Sequence, residues 1–367
     1  MRSRVVTATV AIFMFAGALS AYLGPTASAT PTFAGGSPPG VPSNYVQTPY
    51  GYFDPSCIQG IGASEVAIED GSSVALVDVT ANPEAKDALA QASAVGPNPN
   101  PASAGKAKGV ADMISSDSVK KARHVPGCKK PHYDKSGHVA SDQDPLNTGT
   151  SPTASSPTIT GWVESANSAT YGAMDYLHAQ WTVPPAPTSR GSQTVYFFPG
   201  FQNTKGTAII MQPVLAWNQG GSGIAGWSGA SWNCCSVGTV FHSAYIAVTG
   251  STISGDVSGN GCNTSTGVCS SWTIVTYDWG SKRSTTFTTT SGGRVMNWTF
   301  GGVLEVYRVS SCAQLPGTSV TFSGFYIKDI RNNVRTPAWT RSVTGSLTPA
   351  CGYSVTVGSA NSVVLHY

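Results

Sequence analysis

The chain has 367 residues, with 21 Lys and Arg against 18 Asp and Glu, a formal charge of +3, and only 11% charged residues. This balance lacks the clustered positive charge of a nucleic-acid-binding surface. Few carboxylates also means few native ion pairs to lose when acid protonates them, a composition suited to staying folded at low pH.

Taken in chain order, the first signal is for export. Arg2 and Arg4 precede a mostly apolar run over residues 5–23, and Ala27-Ser28-Ala29 has the small residues of a cleavage site. This predicts a signal peptide over residues 1–29 and a secreted, extracellular product with no membrane association once the signal is removed. No later stretch is apolar enough to span a bilayer.

Eight cysteines follow: Cys57, Cys128, Cys234, Cys235, Cys262, Cys269, Cys312 and Cys351. An even number in an exported chain points to disulfides, and neither a CxxC pair nor a His cluster suggests zinc. Cys262 and Cys269 are placed to close a hairpin. Cys312 with Cys351 and Cys57 with Cys128 are further candidate pairs that spacing alone does not fix. The adjacent Cys234 and Cys235 are expected not to bond to each other.

Residues 30–155 are rich in Ala, Pro, Ser, Gly and Asn and contain no Trp. They read as a poorly ordered propeptide or accessory region. Linkers are expected at 97–105 and 141–157, and short helices over 84–94 and 110–122. Lys120, Lys121, Arg123, Lys129, Lys130 and Lys135 form a basic stretch.

From residue 156 the character changes, and all nine Trp lie beyond residue 160. Short runs rich in Val, Ile, Thr, Tyr, Phe and Trp recur at 176–183, 193–198, 208–217, 241–248, 272–278, 284–289, 302–309, 320–327 and 354–365, separated by Gly, Ser, Asn and Pro. The pattern predicts an all-β domain over 156–367, a two-sheet antiparallel β-sandwich of jelly-roll or concanavalin A-like type.

Two polar residues interrupt apolar runs in this domain: Gln212 in Ile-Ile-Met-Gln-Pro-Val-Leu and Glu305 in Gly-Gly-Val-Leu-Glu-Val-Tyr-Arg-Val. A carboxylate inside an apolar strand costs free energy unless it is paired or used. Strand alternation puts Glu305 on one face with Val303 and Tyr307, and Arg294, Arg308 and Lys328 are the partners a structural ion pair would draw on. An amide such as Gln212 donates to an oxyanion but is no base. Neither a G-x-S-x-G elbow nor an H-E-x-x-H helix is present. His178 and His242 lie in strand-like runs, where a buried His bonded to the backbone is the plainer expectation.

In order along the chain, several segments resemble the eqolisin-type glutamic peptidases. Leu177-His178-Ala179-Gln180-Trp181-Thr182-Val183-Pro184 is similar to that family's opening strand, which ends in Thr-Val-Pro. Phe198-Pro199-Gly200-Phe201-Gln202-Asn203 lies where the family has Trp-Val-Gly-Ile-Asp-Gly. Ile210-Met211-Gln212 resembles the strand of the catalytic Gln, Ala230-Ser231-Trp232 a Trp- and Tyr-rich segment, and Leu304-Glu305-Val306-Tyr307 the strand of the catalytic Glu. The departures are Gln202 for the family's Asp, Val306 for the Trp after the Glu, and Pro213 after the Gln.

The resemblance implies a monomeric secreted acid endopeptidase acting on protein or peptide substrates, made as a zymogen with a basic propeptide, and needing neither metal nor cofactor. Gln212 and Glu305 would be its catalytic dyad, and Trp181, Phe198, Gln202, Trp232 and Tyr307 would bind substrate. The rival readings are a lectin-like carbohydrate-binding sandwich without catalysis and a glycoside hydrolase. The latter normally needs two carboxylates, and Glu305 has no obvious partner for Glu164 to supply from its place near a linker.

Overall fold

The computed structural model describes residues 38–93, 109–135, 137–140, 159–168, 172–206, 208–345 and 347–367. The expected leader at 1–29 and the linkers at 97–105 and 141–157 lie outside the described residues. No described helix is long and apolar enough to cross a membrane.

The fold is a β-sandwich of two stacked sheets. The first runs in the order Thr340–Val343, Ile159–Ser168, Trp298–Val309, Thr194–Gln202, Ile210–Trp217, Trp227–Cys234, Val240–Ser243 and Ile58–Ile61, with Ile246–Ala247 also on Trp227–Cys234. The second runs Ser354–Ser359, Ser362–His366, Val320–Asp329, Met174–Thr182, Thr252–Cys262, Cys269–Asp278, Arg283–Thr289, Glu65–Asp70, Ser73–Asp78 and Arg123–Pro126, with Val334–Arg335 on Val320–Asp329. Neighbours pair antiparallel except at two places, where Ile58–Ile61 and Glu65–Asp70 join the sheets in parallel.

These two strands belong to the half preceding the sandwich, so a short connection links the two sheets. Helices fall near the expected places, at Pro83–Ser93 and Ser116–Lys121, with a 3-10 turn at Val110–Met113. Ala85, Leu89 and Val110 bury an apolar stripe against Val66 and Val79.

Alternation along each strand separates an inter-sheet core from an outer face. Val195, Phe197, Leu215, Leu304 and Val306 of the first sheet meet Trp181, Ile253 and Phe322 of the second. Phe201 and Met211 meet Leu177, Val257 and Ile274.

The sheets approach closely where Pro213 sits over Gly255. A methyl on Gly255 would collide with the Pro213 ring and lie 3.1 Å from the Trp181 ring. Gly255→Ala is therefore expected to destabilise by about 1–3 kcal/mol through overpacking, read as a lowered thermal midpoint.

Four disulfides close loops: Cys57–Cys128, Cys262–Cys269, Cys312–Cys351 and Cys234–Cys235. The last corrects the sequence expectation. With the other six cysteines paired elsewhere, each of the two adjacent residues is the other's remaining partner, and no cysteine is free.

Candidate active site

The outer face of the first sheet carries most of the candidate residues, and strand register arranges them in rows. Glu305 lies opposite Trp162 on one neighbouring strand and Tyr196 on the other. The next row holds Val303 and Phe198. The row after that holds Phe300, Gly200, Gln212 and Trp232. Gln202 lies one row further, between Trp298 and Ile210. Gly200 is small where space is tight, since a methyl there would stand 3.2 Å from the Gln212 Cβ and 3.3 Å from the Phe300 ring.

Glu305 and Gln212 thus share a face without touching. They are two strands apart across the sheet and four residues apart along it, a Cα separation of roughly 15 Å at ordinary strand spacings. Trp232, Phe198 and Tyr307 lie on the same face, in the apolar cluster that covers it. Trp181 does not, because alternation turns it into the inter-sheet core, where it stacks on Phe322 at 5.6 Å.

Segments of the N-terminal half pack over this face. Val41, Tyr45, Tyr50, Tyr52, Phe53 and Cys57 form one cluster with Tyr196, Phe198, Val214, Trp232, Phe300 and Tyr307. The cover is a hairpin of Val46–Thr48 and Gly51–Phe53, to which Tyr133 is bridged by paired hydrogen bonds with Tyr52 of 2.9 and 3.0 Å. Gly51, at φ 117°, lets Tyr133 pass so near that a side chain there would strike its carbonyl oxygen.

Tyr52 meets Tyr307 edge-on at 5.5 Å and Tyr50 meets Trp232 at 6.4 Å. The Cys57–Cys128 disulfide and the 2.8 Å contact of Lys130 with Asp54 tie the two segments of the cover together.

Under this cover Glu305 is wholly buried. Its partner is none of the arginines or the lysine that its neighbourhood in sequence offered. Lys135 places its ammonium 3.2 Å from Oε2, and the Trp162 indole N–H donates to the same oxygen at 2.8 Å. The ammonium also lies 4.9 Å over the Trp162 ring, a cation–π contact. Oε1 has no hydrogen-bond partner among the described residues.

Burial pushes the Glu305 carboxyl up to about 7, against the pull of Lys135, Tyr307 and Trp162. The same burial holds Lys135 below the usual lysine range, opposed by the charge of Glu305. The Tyr50 and Tyr307 hydroxyls are raised well above their ordinary value by burial and then by the Glu305 charge. Gln212 is equally buried, and neither of its amide atoms has a partner among the described residues.

Elsewhere His178 bonds the Asp256 carboxylate at 3.0 Å rather than the backbone, while His242 bonds the Ser243 carbonyl at 2.7 Å as expected. Among the described residues no group of three His, Cys, Asp or Glu is set to hold a metal ion.

Sequence reasoning missed Trp162, Tyr50 and Tyr52. It placed Lys135 in a basic stretch without its partner. Trp162 lies on the first strand of the sandwich, and only the rarity of a Trp beside a strand carboxylate singles it out.

No family model matches this chain, and neither does any curated protein. Among solved structures, it is similar to a scytalido-glutamic peptidase with a peptide-based transition state analog, at 13% identity and a TM-score of 0.41, covering 57% of this chain and 99% of that one. It is similar too to SCP-B, a member of the eqolisin family of peptidases in a complex with the tripeptide Ala-Ile-His, at 15% identity and a TM-score of 0.39, with the same coverage.

Proposed function

We propose that this chain is a secreted endopeptidase of acidic media, with Glu305 as its general base, held latent by its own N-terminal half. The observation that carries the reading is the state of Glu305. It is a lone carboxylate enclosed in an aromatic face, its pKa lifted to about 7, and it is capped by a lysine from a separate segment. Carboxylates perturbed by burial together with a specific charge partner cluster at working sites, and Glu305 has both the burial and, in Lys135, the partner.

Once the cover leaves, water reaches Glu305 and its pKa falls back toward the ordinary carboxylate range. The ionised form then takes a proton from a water attacking the peptide carbonyl and passes it to the leaving amine. The developing oxyanion needs a donor within about 3 Å. Tyr196, facing Glu305, and Tyr307, next on its strand, are the nearer hydroxyls. Gln212 lies further along the same face and suits contact with the substrate chain beyond the scissile bond. Trp232, Phe198 and Gln202 line that path.

The cover itself supports latency, since no substrate reaches a face already occupied by Tyr50, Tyr52 and Lys135. Glu305 itself does not drive opening in acid, because its pKa is higher under the cover than outside it and protonation therefore favours the covered form. The acid-labile tie is Asp54, whose carboxyl is held below its ordinary range, against burial, by bonds from Lys130 and Ser56; its protonation in acid loosens the two segments of the cover and favours opening.

The test is digestion of a denatured protein by the full chain, with and without acid pretreatment, from strongly acid to mildly alkaline pH, beside Glu305→Gln. Acid-triggered cleavage that falls at least a hundredfold in the variant is the expected result. Cleavage unchanged by Glu305→Gln, or none at any pH from a chain shown to have opened, overturns the reading.

A further inference from the structure

We propose that Trp162 is the positioning residue for Glu305, and that its indole N–H selects which carboxylate oxygen works. This deepens the reading above and rests on Glu305 being the base. Two donors converge on Oε2, Lys135 at 3.2 Å and Trp162 at 2.8 Å. They differ in origin. Lys135 belongs to the cover and leaves with it. Trp162 belongs to the sandwich, on the strand Ile159–Ser168, directly opposite Glu305 in register. When the cover opens, the indole remains as the donor on Oε2.

The ring is well fixed for the task. It packs edge-on against Phe198 at 5.6 Å and Phe300 at 5.4 Å, and both residues belong to the sheet. A hydrogen bond from a rigid donor locks the carboxylate rotamer and occupies Oε2. The proton from the attacking water then goes to Oε1, the oxygen without a partner among the described residues. The same ring face holds the Lys135 ammonium in the covered state, so one side chain serves the latent and the open forms in turn.

A hydrogen bond to the ionised form also favours it. Losing the indole N–H therefore raises the Glu305 pKa. The test replaces Trp162 in the full-length chain by 3-benzothienylalanine, which keeps the ring shape and puts sulfur where the N–H stood, with Trp162→Phe beside it. The first readout needs no activity: the Glu305 carboxyl is followed by carbon-13 NMR of glutamate-labelled protein, assigned with Glu305→Gln. The expected result is a midpoint raised by about one pH unit in both variants.

The second readout is acid-activated digestion, where kcat falls about tenfold with KM within twofold and the acidic limb of the profile moves up. A benzothienyl variant with unmoved midpoint, limb and kcat overturns the proposal even while Glu305→Gln is inactive. Activity surviving in Glu305→Gln overturns the reading of the base instead. A midpoint that rises while kcat stays level leaves Trp162 a mere pKa modulator and overturns its positioning role.

Discussion

Replacing Lys135 by Glu is expected to open the cover at neutral pH and switch the full-length chain on without acid. The wild-type pair is enclosed, with side-chain exposures of 12% for Lys135 and 0% for Glu305. Removing one member of such a pair costs about 3–5 kcal/mol, because the other charge is left buried and unpaired. Lys135→Glu goes further and sets a second carboxylate against Glu305. A proton on one of the two relieves the repulsion, but the Lys135 bond to Oε2 and its contact with the Trp162 ring are lost with the substitution itself. The cheaper outcome is release of the segment that carries residue 135.

The direct measurement is hydrogen exchange at neutral pH of the Tyr52 and Tyr133 amides, whose mutual hydrogen bonds close the cover. Their exchange is expected to rise at least a hundredfold in Lys135→Glu, together with at least a tenfold gain in unactivated peptidase activity. Lys135→Met combined with Glu305→Gln removes both charges at once and should keep the cover protected, since a buried pair replaced by neutral groups is often tolerated. Protection in Lys135→Glu equal to wild type would show that the aromatic contacts alone hold the cover, and that the ion pair is no latch.

How far the sequence could lead differs between the parts of this site. The period-two pattern around Gly-Gly-Val-Leu-Glu-Val-Tyr sets Glu305 on a face with Val303 and Tyr307, and these share the outer face in the structure, because side-chain direction along a strand is a local property. The same logic applies to Ile-Met-Gln-Pro-Val, where Gln212 and Val214 face outward and Met211 and Pro213 inward.

Register is not local. Whether Gln212 lies level with Glu305 or two rows away depends on how three strands slide past one another, and nothing in either strand's own residues states it. Trp181 shows the same limit from the other sheet, since its motif position gives no sign that it turns inward.

The pairing of Lys135 with Glu305 joins residues far apart in the chain, across a segment whose composition reads as linker. The composition of residues 30–155 was legible as different. What it hid was that short runs such as Ile58–Ile61 and Glu65–Asp70 extend sheets formed mainly by the second half, the first of them as an edge strand. A four-residue edge strand draws its stability from its neighbours rather than from its own sequence.

The second large effect concerns Glu164, and it makes the fold more stable in acid than at neutral pH. Glu164 lies opposite Leu304 and Val343 and is 1% exposed. The backbone amides of Ser354 and His366 approach it, yet neither oxygen is in a full hydrogen bond among the described residues. Burial pushes its pKa from 4.5 up to about 8, and burial likewise pushes Asp175 up to about 7.

In the unfolded chain these groups ionise near pH 4; in the folded chain they keep their protons to about pH 7 or 8. Between those limits the folded state binds more protons than the unfolded state, so stability falls as pH rises from about 4 to about 8. Below that window the sign reverses. Asp278, bonded by the amides of Thr249, Gly250, Gly280 and Ser281, and Asp329, bonded by Asn333 and Arg335, are both depressed despite burial, and their stabilisation is lost as they protonate.

Maximum stability is therefore expected near pH 4. Glu164→Gln should be nearly silent there and should stabilise the protein at pH 8 by on the order of 3 kcal/mol, with about 1.4 kcal/mol for each pH unit that separates the folded and unfolded pKa values as the ceiling. Thermal or denaturant unfolding of both proteins at the two pH values decides it. A wild type that gains stability from pH 4 to 8, or a variant whose difference from wild type does not grow with pH, would mean that Glu164 is ionised in the folded chain and held there by a compensating charge.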